Sequence, residues 1–344
     1  MKRALTLVLA VLVILLFSSC GAKKDVLYVY NWSYYTPDEV IEAFEEEFNC
    51  EVIMDYFASN EEMFAKLMVT GESSGYDIVF PSSDYVTIMK KLDMVEELDH
   101  EKLPNLKYIS PLAREKSTSD PEMKHSVPYF LGAAGIAFNK TKLQDYERDW
   151  SLFERTDLKG RMCMLDDLRE VIGAALQVLG YSCNSTDPDE LEEAYNYIDK
   201  NWKPNLAKFD AEGFAKSFAS GEYVVAHGYA ESFYEEIPES MWDDIDFFIP
   251  EECSLYIDSM VIPKGARHKD LAHEFINFMI EPHNYALFLD YFGFPSTTNT
   301  EAAQYMTTEP YYTEDMIIQG EVKDDLGEAL ELYNSVWERI RYGN

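Results

Sequence analysis

The sequence predicts an α/β protein with two domains. Short apolar segments, typical of buried strands, alternate with amphipathic helical segments along most of the chain, and this alternation favours parallel sheets with helical crossovers. The length of 344 residues exceeds what one hydrophobic core usually organises. Hydrophobic residues form 47% of the chain, which is enough to fill two cores.

Polar and aromatic side chains follow two of the predicted strands in the first domain. Trp32, Ser33 and Tyr35 come directly after the first strand, and Ser82 and Asp84 follow the third. In open parallel sheets, ligands bind in the crevice beyond the carboxyl ends of the strands, so these side chains are placed to meet a small molecule. The alternatives are that the rings fill a core and that Ser82 caps a helix.

One long strand is predicted over residues 126–139. Gly132, Ala133, Ala134 and Gly135 lie inside it. Small residues within a strand indicate a bend or the close approach of another backbone. We therefore predict that the chain first crosses between its two domains in this segment.

The second domain has its own strands and helices, and carboxylates and aromatics at the strand ends. Asp167 and Glu170 follow a strand and open a helix. Because they are three positions apart, they lie on the same side of its first turn. The helix dipole alone also favours carboxylates there, so a purely structural role stays open. Tyr229 follows a later strand in the same way.

Asp258 is the residue that ordinary packing explains least well. It lies two positions after Tyr256, inside the apolar strand predicted over residues 255–263. A buried carboxylate is unfavourable without a partner. The sequence leaves open whether that partner is a set of backbone N–H groups or a cation.

The charge of the chain excludes one class of partner. Acidic residues outnumber basic ones by 63 to 29, which gives a net charge of −34. Nucleic-acid recognition needs basic surfaces, so no nucleic-acid partner is expected. The negative charge keeps the surface solvated, and it also concentrates small cations near a cleft.

The first twenty residues are typical of an export signal. Lys2 and Arg3 precede an apolar run, residues 4–17, that is too short to span a bilayer as a helix. The small residues before Cys20 indicate a bacterial lipoprotein signal that is cleaved before this cysteine. An ordinary signal peptide is the alternative. Acyl chains on Cys20 would anchor the protein, because each buried methylene contributes about 0.8 kcal/mol.

The remaining cysteines leave the redox state undecided. An even number of cysteines in an exported protein permits two disulfides with three alternative pairings, and free buried thiols are equally compatible. The spacing of cysteines and histidines matches no zinc pattern, and no cofactor or metal is expected. The four cysteines are Cys50, Cys163, Cys183 and Cys253.

A family resemblance rests on eight short stretches: Tyr30-Asn31-Trp32-Ser33, Ser59-Asn60-Glu61-Glu62-Met63, Tyr76-Asp77-Ile78-Val79, Pro81-Ser82, Val127-Pro128-Tyr129, Asp166-Asp167-Leu168-Arg169-Glu170-Val171, Ile257-Asp258-Ser259 and Gly293-Phe294-Pro295. In order and spacing they cover nearly all of the chain after the signal. Together they resemble the polyamine-binding branch of the periplasmic solute-binding proteins. Those proteins serve bacterial ABC uptake systems for spermidine and putrescine.

The resemblance implies a two-lobed fold, in which each lobe is a mainly parallel sheet flanked by helices and the ligand lies in the cleft between the lobes. It implies a monomer at the periplasmic face of a bacterial membrane that passes a polyamine to an ABC permease. The implied division is a signal peptide (1–19), a lipidated tether (20–26), an N-terminal lobe (27–131 and 258–300) and a C-terminal lobe (132–257 and 301–344).

The resemblance also implies an acidic, aromatic box for the ligand. Cation–π contacts of roughly 0.5–2 kcal/mol each and charge-assisted hydrogen bonds would hold the ammonium groups. The implied contacts are the aromatic walls Trp32 and Tyr35, the hydroxyls of Ser33 and Ser82, the carboxylates Asp167 and Glu170 at one end and Asp258 at the other, and the rings of Tyr229, Tyr256 and Phe294.

Three positions differ from the pattern of a spermidine binder. Tyr34 stands where Glu is common, and Asp84 stands where Tyr is common and can replace the missing charge. Lys323 stands where a Gln contacts one amine of the longer ligand. A cation there would repel a third ligand amine or pair with Glu170, so we expect putrescine to be preferred over spermidine.

Other functions fit the sequence less well. Asp167 and Glu170 lie too near each other on one helical turn to flank a glycosidic bond from opposite faces. The sequence has no nucleophile motif or phosphate-binding glycine loop, so no enzymatic activity is expected. The remaining alternatives are a binding protein for another solute, such as an amino acid or a sugar, and a surface adhesin or structural lipoprotein.

Overall fold

The computed structural model describes residues 24–33 and 35–343. The predicted signal peptide, Cys20 and Tyr34 lie outside the described residues. Within them the strands are β1 (Val26–Trp32), β2 (Glu51–Phe57), β3 (Ile78–Val79), β4 (Ser126–Ala133), β5 (Gly135–Asn139), β6 (Met162–Met164), β7 (Leu206–Phe209), β8 (Val225–Gly228), β9 (Ile245–Phe248), β10 (Ser254–Val261) and β11 (Glu321–Val322).

Helices cover the sheets and connect many of the strands. The first helix ends at a residue with left-handed backbone angles, Asn49. The helices are α1 (Asp38–Phe48), α2 (Asn60–Thr70), α3 (Ser83–Lys91), α4 (Pro111–Lys116), α5 (Leu168–Val178), α6 (Pro188–Tyr197), α7 (Phe214–Ala219), α8 (Ala230–Glu236), α9 (Lys269–Met279), α10 (Pro282–Phe292) and α11 (Leu330–Tyr342).

The strands form two mixed sheets. The first sheet has the order β11-β10-β3-β1-β2, with β4 also paired to β10. The second has the order β7-β6-β8-β5-β9. In the first sheet, β1 is parallel to both β2 and β3, so their carboxyl ends share one edge.

Antiparallel strands correct the expectation of mainly parallel sheets. In the first sheet β10 runs antiparallel to β3 and β4, and in the second sheet β5 runs antiparallel to β8 and β9. The physical reason lies in the connections, because β5 and β10 each enter their sheet directly from the other sheet and not through a helical crossover.

The predicted strand over residues 126–139 is in fact two strands in different sheets. β4 ends at Ala133 and belongs to the first sheet, whereas β5 begins at Gly135 and belongs to the second. A Cβ atom on Gly135 would lie 2.5 Å from the carbonyl oxygen of Phe248, so only glycine fits this close approach. The chain therefore passes from the first sheet to the second at Ala134.

The chain passes between the sheets twice more. The segment 249–253 leads from β9 in the second sheet to β10 in the first. After β11, the chain leaves the first sheet, and α11 packs against α5 and α6 beside the second. This third passage between the sheets comes later in the chain than residue 300, the lobe boundary that the resemblance implies.

The core residues are apolar side chains from both sheets and their helices. Cys50, Cys163, Cys183 and Cys253 are buried among them as free thiols, so the structure favours the alternative without disulfides. Burial raises the pKa of the Cys183 thiol to about 12, which keeps it protonated. Among the described residues, no helix combines the length and the apolar character needed to cross a bilayer.

Candidate ligand-binding cleft

A cleft of about 660 Å³ lies where strand ends and loops from both sheets meet. The parallel strands explain part of its lining, because β1 and β3 end side by side at this edge. Ten of the twelve predicted site residues line it: Trp32, Ser33, Tyr35, Ser82, Asp84, Asp167, Tyr229, Tyr256, Asp258 and Lys323.

Asp258 lies at the bottom of this cleft and is only 5% exposed. The hydroxyl of Tyr35 donates to Oδ2 at 2.9 Å, and the hydroxyl of Ser82 donates to Oδ1 at 2.5 Å. Burial raises the pKa of the carboxyl group to about 6, although the two hydroxyl groups and Lys323 oppose the shift. Both hydrogen-bond partners are neutral, and no ion pair of the described residues includes Asp258, so the charge of Lys323 offsets its negative charge only in part.

The loop after β3 is held in place by a residue of α2. Asn60 donates from Nδ2 to the Ser82 hydroxyl at 3.0 Å, and its Oδ1 accepts from the Ser82 backbone N–H at 3.1 Å. Ser82 occupies the capping position of α3 but makes no side-chain capping bond, because its hydroxyl donates to Asp258. The side chain of Ser82 therefore serves the cleft and not the helix.

Aromatic rings from both sheets form the walls of the cleft. Trp32 packs on Phe57 with ring centroids 4.7 Å apart. Tyr35 packs edge-to-face on Tyr129 with ring centroids 5.6 Å apart, and the Tyr35 hydroxyl points toward Asp258. These contacts leave the exposed parts of the Trp32 and Tyr35 rings facing the cleft.

Tyr229, from the second sheet, and Tyr256, from the first, form another aromatic wall of the cleft. Their ring centroids are 6.1 Å apart in an edge-to-face arrangement. Tyr229 directly follows β8, and Tyr256 lies in β10. Burial is the main cause that raises the pKa of both phenols well above the ordinary value, so both stay neutral hydrogen-bonding groups.

The hydroxyl of Ser33 has a partner in the protein. It donates to the carbonyl oxygen of Phe57 at 3.3 Å, and the backbone N–H of Ser33 donates to the same oxygen at 3.1 Å. Ser33 lines the cleft, but its hydroxyl proton is already used.

Glu170 forms a buried ion pair and does not line the cleft. Its Oε1 lies 2.5 Å from the Lys323 ammonium, and the side chains are 3% and 15% exposed. Burial alone would lower the pKa of Lys323, but Glu170 and Asp167 outweigh it and raise the pKa above the usual value. Lys323 also lies 5.8 Å from the centre of the Tyr256 ring. Of the two sequence alternatives for Lys323, the structure shows pairing with Glu170.

Asp167 caps α5, which agrees with the structural role that the sequence left open for it. Its Oδ1 accepts from the backbone N–H groups of Arg169 at 2.8 Å and of Glu170 at 3.1 Å. Its side chain remains half-buried at the cleft, so capping and ligand contact are compatible.

Asp84 faces cations that belong to the protein. Burial raises its pKa, and the positive charges of Arg169 and Lys323 act in the opposite direction. Its Oδ1 accepts from the backbone N–H of Tyr85 at 3.0 Å. The charge of Asp84 is therefore partly balanced before any ligand arrives.

Phe294 lies away from the cleft, which corrects its predicted role as a ligand contact. The side chain is 1% exposed and stacks on Phe130 with ring centroids 4.1 Å apart. It also stacks on Phe292 at 5.2 Å. A phenylalanine lacks the hydroxyl that would give it a reason to reach polar surroundings, and its ring completes an aromatic core instead.

Several residues of the cleft were missed by the sequence reasoning. Glu231 lines the wall beside Tyr229, and Arg169 lies close to Asp84. Glu231 comes two positions after Tyr229 at the end of β8, so the strand-end rule could have found it. Asn60 had no such signal, because it acts through Ser82, which is 22 positions away in sequence. Among the described residues, no group of acidic, histidine and cysteine side chains could hold a metal.

Comparison with known proteins identifies the family. Residues 39–319 match the model of the bacterial extracellular solute-binding proteins. The chain belongs to this family. The two-lobed fold and the absence of an enzymatic role are thereby confirmed, because its relatives are solute-binding transport proteins.

Three members of the solute-binding family are particularly similar to this chain. The TpPotD lipoprotein of Treponema pallidum has 53% sequence identity to this chain. Its crystal structure matches with a TM-score of 0.89 over 92% of this chain and 100% of that one. Spermidine/putrescine-binding periplasmic protein 1 of Haemophilus influenzae is 33% identical over 93% of this chain and 90% of its own. The putrescine/cadaverine-binding protein of Pseudomonas aeruginosa is 33% identical over 82% of each chain.

Proposed function

We propose that this solute-binding protein binds a polyamine in its cleft, outside the cytoplasm, and delivers it to an ABC permease. The observation that carries the proposal is the buried carboxylate of Asp258, whose hydrogen bonds come from the neutral hydroxyls of Tyr35 and Ser82. Such a charge is unfavourable until a cation enters. The names of the relatives, which bind spermidine, putrescine or cadaverine, support the same class of ligand.

The rest of the cleft suits an alkyl chain with charged ends. The exposed parts of Trp32, Tyr35, Tyr229 and Tyr256 offer apolar surface to methylene groups. An ammonium group beside such rings gains roughly 0.5–2 kcal/mol from each cation–π contact. A sugar would leave Asp258 without a cation, so this arrangement favours an amine.

We propose further that putrescine is preferred over spermidine. The ammonium of Lys323 lies between the Glu170 carboxylate and the face of Tyr256. A ligand ammonium would be held by the same kind of partners, a carboxylate and a ring. Lys323 thus fills the place that an additional ammonium of a longer polyamine would need, and its charge repels one.

Calorimetric titration of the whole chain in non-ionic detergent tests both proposals. We expect putrescine to bind with one site per chain and spermidine to bind less tightly, because only spermidine brings a third ammonium near Lys323. Spermidine binding that is tighter by about tenfold, or roughly 1.4 kcal/mol, would contradict the preference. Absence of binding by either amine would contradict the function.

The affinity for putrescine should fall in acid. Burial raises the pKa of Asp258 to about 6, and the ligand binds the ionised form. Below that pH the free protein carries a protonated Asp258, whereas amine groups with a pKa of about 10 stay charged. We expect protonation of Asp258 to contribute nothing to this loss above about pH 7 and roughly tenfold for each pH unit below 6. Titrations at several pH values measure this profile, and equal affinity at both ends would exclude Asp258 as the ammonium partner.

We propose that Cys20 carries the lipid anchor and that the protein acts as a monomer at the periplasmic face of the membrane. The lipoprotein named among the similar structures supports the anchor. The N-terminal lobe would combine the first sheet with the helices around it, and the C-terminal lobe would combine the second sheet with α11.

A further inference from the structure

The charges that line the cleft are strongly unbalanced. Seven carboxylates and three cations line it, and one of these cations, Lys323, is paired with Glu170, which does not line the cleft. A diamine with two ammonium groups needs two carboxylates whose charge the protein has not already balanced. The carboxylates are Glu61, Asp84, Asp166, Asp167, Glu231, Asp258 and Asp325, and the cations are Arg169, Lys323 and Arg341.

Most of these carboxylates have partners within the protein. Asp166 pairs with Arg341 at 3.0 Å, and Asp325 pairs with Lys91 at 2.8 Å. The Glu61 carboxylate accepts from the Tyr85 hydroxyl at 3.1 Å and lies on the first turn of α2. The ion pairs neutralise Asp166 and Asp325, and Glu61 is exposed to solvent, which screens its charge.

Asp167 and Asp84 are also partly balanced. Asp167 caps α5, and its charge acts on Lys323. Asp84 faces both Arg169 and Lys323. The resemblance assigned the far amine to Asp167 and Glu170, but in this chain Lys323 already takes up their negative charge.

Glu231 is different from all of these. It is half-buried on the first turn of α8, beside Tyr229, and it lines the cleft. Within residues 24–33 and 35–343, the ion pairs found at the cleft do not include it. Burial raises its pKa to about 7, and no basic group opposes that shift. Glu231 is therefore the cleft carboxylate that the protein balances least, and Asp258, which is hydrogen-bonded by neutral hydroxyls, is the other one with charge available for a cation.

The tyrosine wall lies close to both carboxylates. The pKa of Tyr256 is raised by burial and Tyr312, and further by the charges of both Glu231 and Asp258. The same two charges contribute to the raised pKa of Tyr229, after burial, Glu170 and Asp167. Glu231, Asp258 and these two rings line the same cleft, so methylene groups that pack on the rings would lie near both carboxylates.

We propose that Glu231 binds the second ammonium group of the diamine, while Asp258 binds the first. The inference rests on the proposed function and names the residue that selects a ligand with two charged ends. A ligand of equal length with a single ammonium should be discriminated against mainly through Glu231. The resemblance did not assign this role to Glu231.

The test compares putrescine with 4-amino-1-butanol, which replaces one ammonium with a hydroxyl at nearly equal length. Calorimetry, or competition where heats are small, is carried out on the whole chain in detergent at pH 8. We expect the wild-type protein to prefer putrescine by at least about tenfold. In Glu231→Gln this preference should fall below roughly threefold, because the amide cannot supply a charge.

Glu236→Gln is the matched control, since Glu236 lies on the same helix but is exposed to solvent and lies outside the cleft. It should keep the wild-type preference, and thermal unfolding should show that all three proteins are folded. A Glu231→Gln protein that keeps the wild-type preference would overturn the inference. So would a wild-type protein that binds both ligands equally, a measurement that needs no variant. Wild-type protein that binds neither ligand would instead overturn the proposed function.

Discussion

Replacement of Asp258 with Asn is expected to weaken putrescine binding by more than about tenfold. The amide keeps the size of the side chain and can still accept a hydrogen bond from Tyr35 or Ser82, whose hydroxyls lie 2.9 and 2.5 Å from the carboxylate. It cannot supply the charge that pairs with an ammonium group, and the charge-assisted hydrogen bond is lost. Calorimetric titration of the Asp258→Asn protein with putrescine measures the effect.

The matched control for this change is Asp166→Asn. Asp166 also lines the cleft, but its charge is already paired with Arg341 at 3.0 Å. We expect its substitution to change the affinity by less than roughly threefold. Unchanged affinity in Asp258→Asn would remove Asp258 from the binding site.

The thermal stability of the Asp258→Asn protein shows whether weak binding results from the lost charge or from a damaged fold. The pKa of Asp258 is raised to about 6 in the folded protein, so its ionised form is disfavoured by folding at neutral pH. The neutral amide should therefore leave the thermal unfolding temperature of the ligand-free protein unchanged or raise it. A lowered unfolding temperature would show that weak binding came from a damaged fold.

Replacement of Lys323 with Gln is expected to shift the preference toward spermidine by about tenfold or more. Lys323 pairs with Glu170 at 2.5 Å, and without it the Glu170 carboxylate is left buried and without a cation. The central or terminal ammonium of a longer polyamine can then take its place. The ratio of the dissociation constants for putrescine and spermidine, measured by calorimetry in both proteins, tests this expectation.

Lys323→Arg is the control, because it keeps a positive charge beside Glu170. Its ratio of dissociation constants should stay close to that of the wild type. Breaking a buried pair by removing one partner destabilises proteins by roughly 3–5 kcal/mol, so Lys323→Gln should unfold at a lower temperature without ligand. Spermidine should recover more of this stability than putrescine does. An unchanged ratio in Lys323→Gln would show that Lys323 does not set the length of the ligand.

The sequence located the cleft well because strand ends determine it. The segments after β1, β3 and β8 meet at one place, and the residues predicted there, such as Trp32, Ser82 and Tyr229, line the cleft. Asp258 could be singled out because a carboxylate in an apolar strand needs a partner. Its hydroxyl partners Tyr35 and Ser82 could not be inferred by that rule, since they are 223 and 176 positions away.

Two residues that the resemblance implied as ligand contacts do not line the cleft. Phe294 follows the motif, but its ring packs into the core against Phe130. Glu170 also follows the motif, yet Lys323, 153 positions away, removes it from the cleft. Both outcomes depend on neighbours that are distant in sequence, and no local pattern encodes them.

The apolar pattern predicted which segments form strands better than it predicted how those strands are arranged in the two sheets. Residues 126–139 are extended as expected, but a single residue, Ala134, separates strands of two different sheets. Apolar periodicity records that both strands are buried, and it does not record which sheet buries them. The direction of β10, which makes the first sheet mixed, was hidden for the same reason.

A crystal structure with putrescine is the most direct test of polyamine binding in the cleft. We expect one ligand there, with one ammonium nitrogen about 3 Å from the Asp258 carboxylate and the alkyl chain beside Tyr229 and Tyr256. Lys323 should remain paired with Glu170. A ligand bound elsewhere, or a ligand ammonium on Glu170 with Lys323 displaced into solvent, would contradict this expectation.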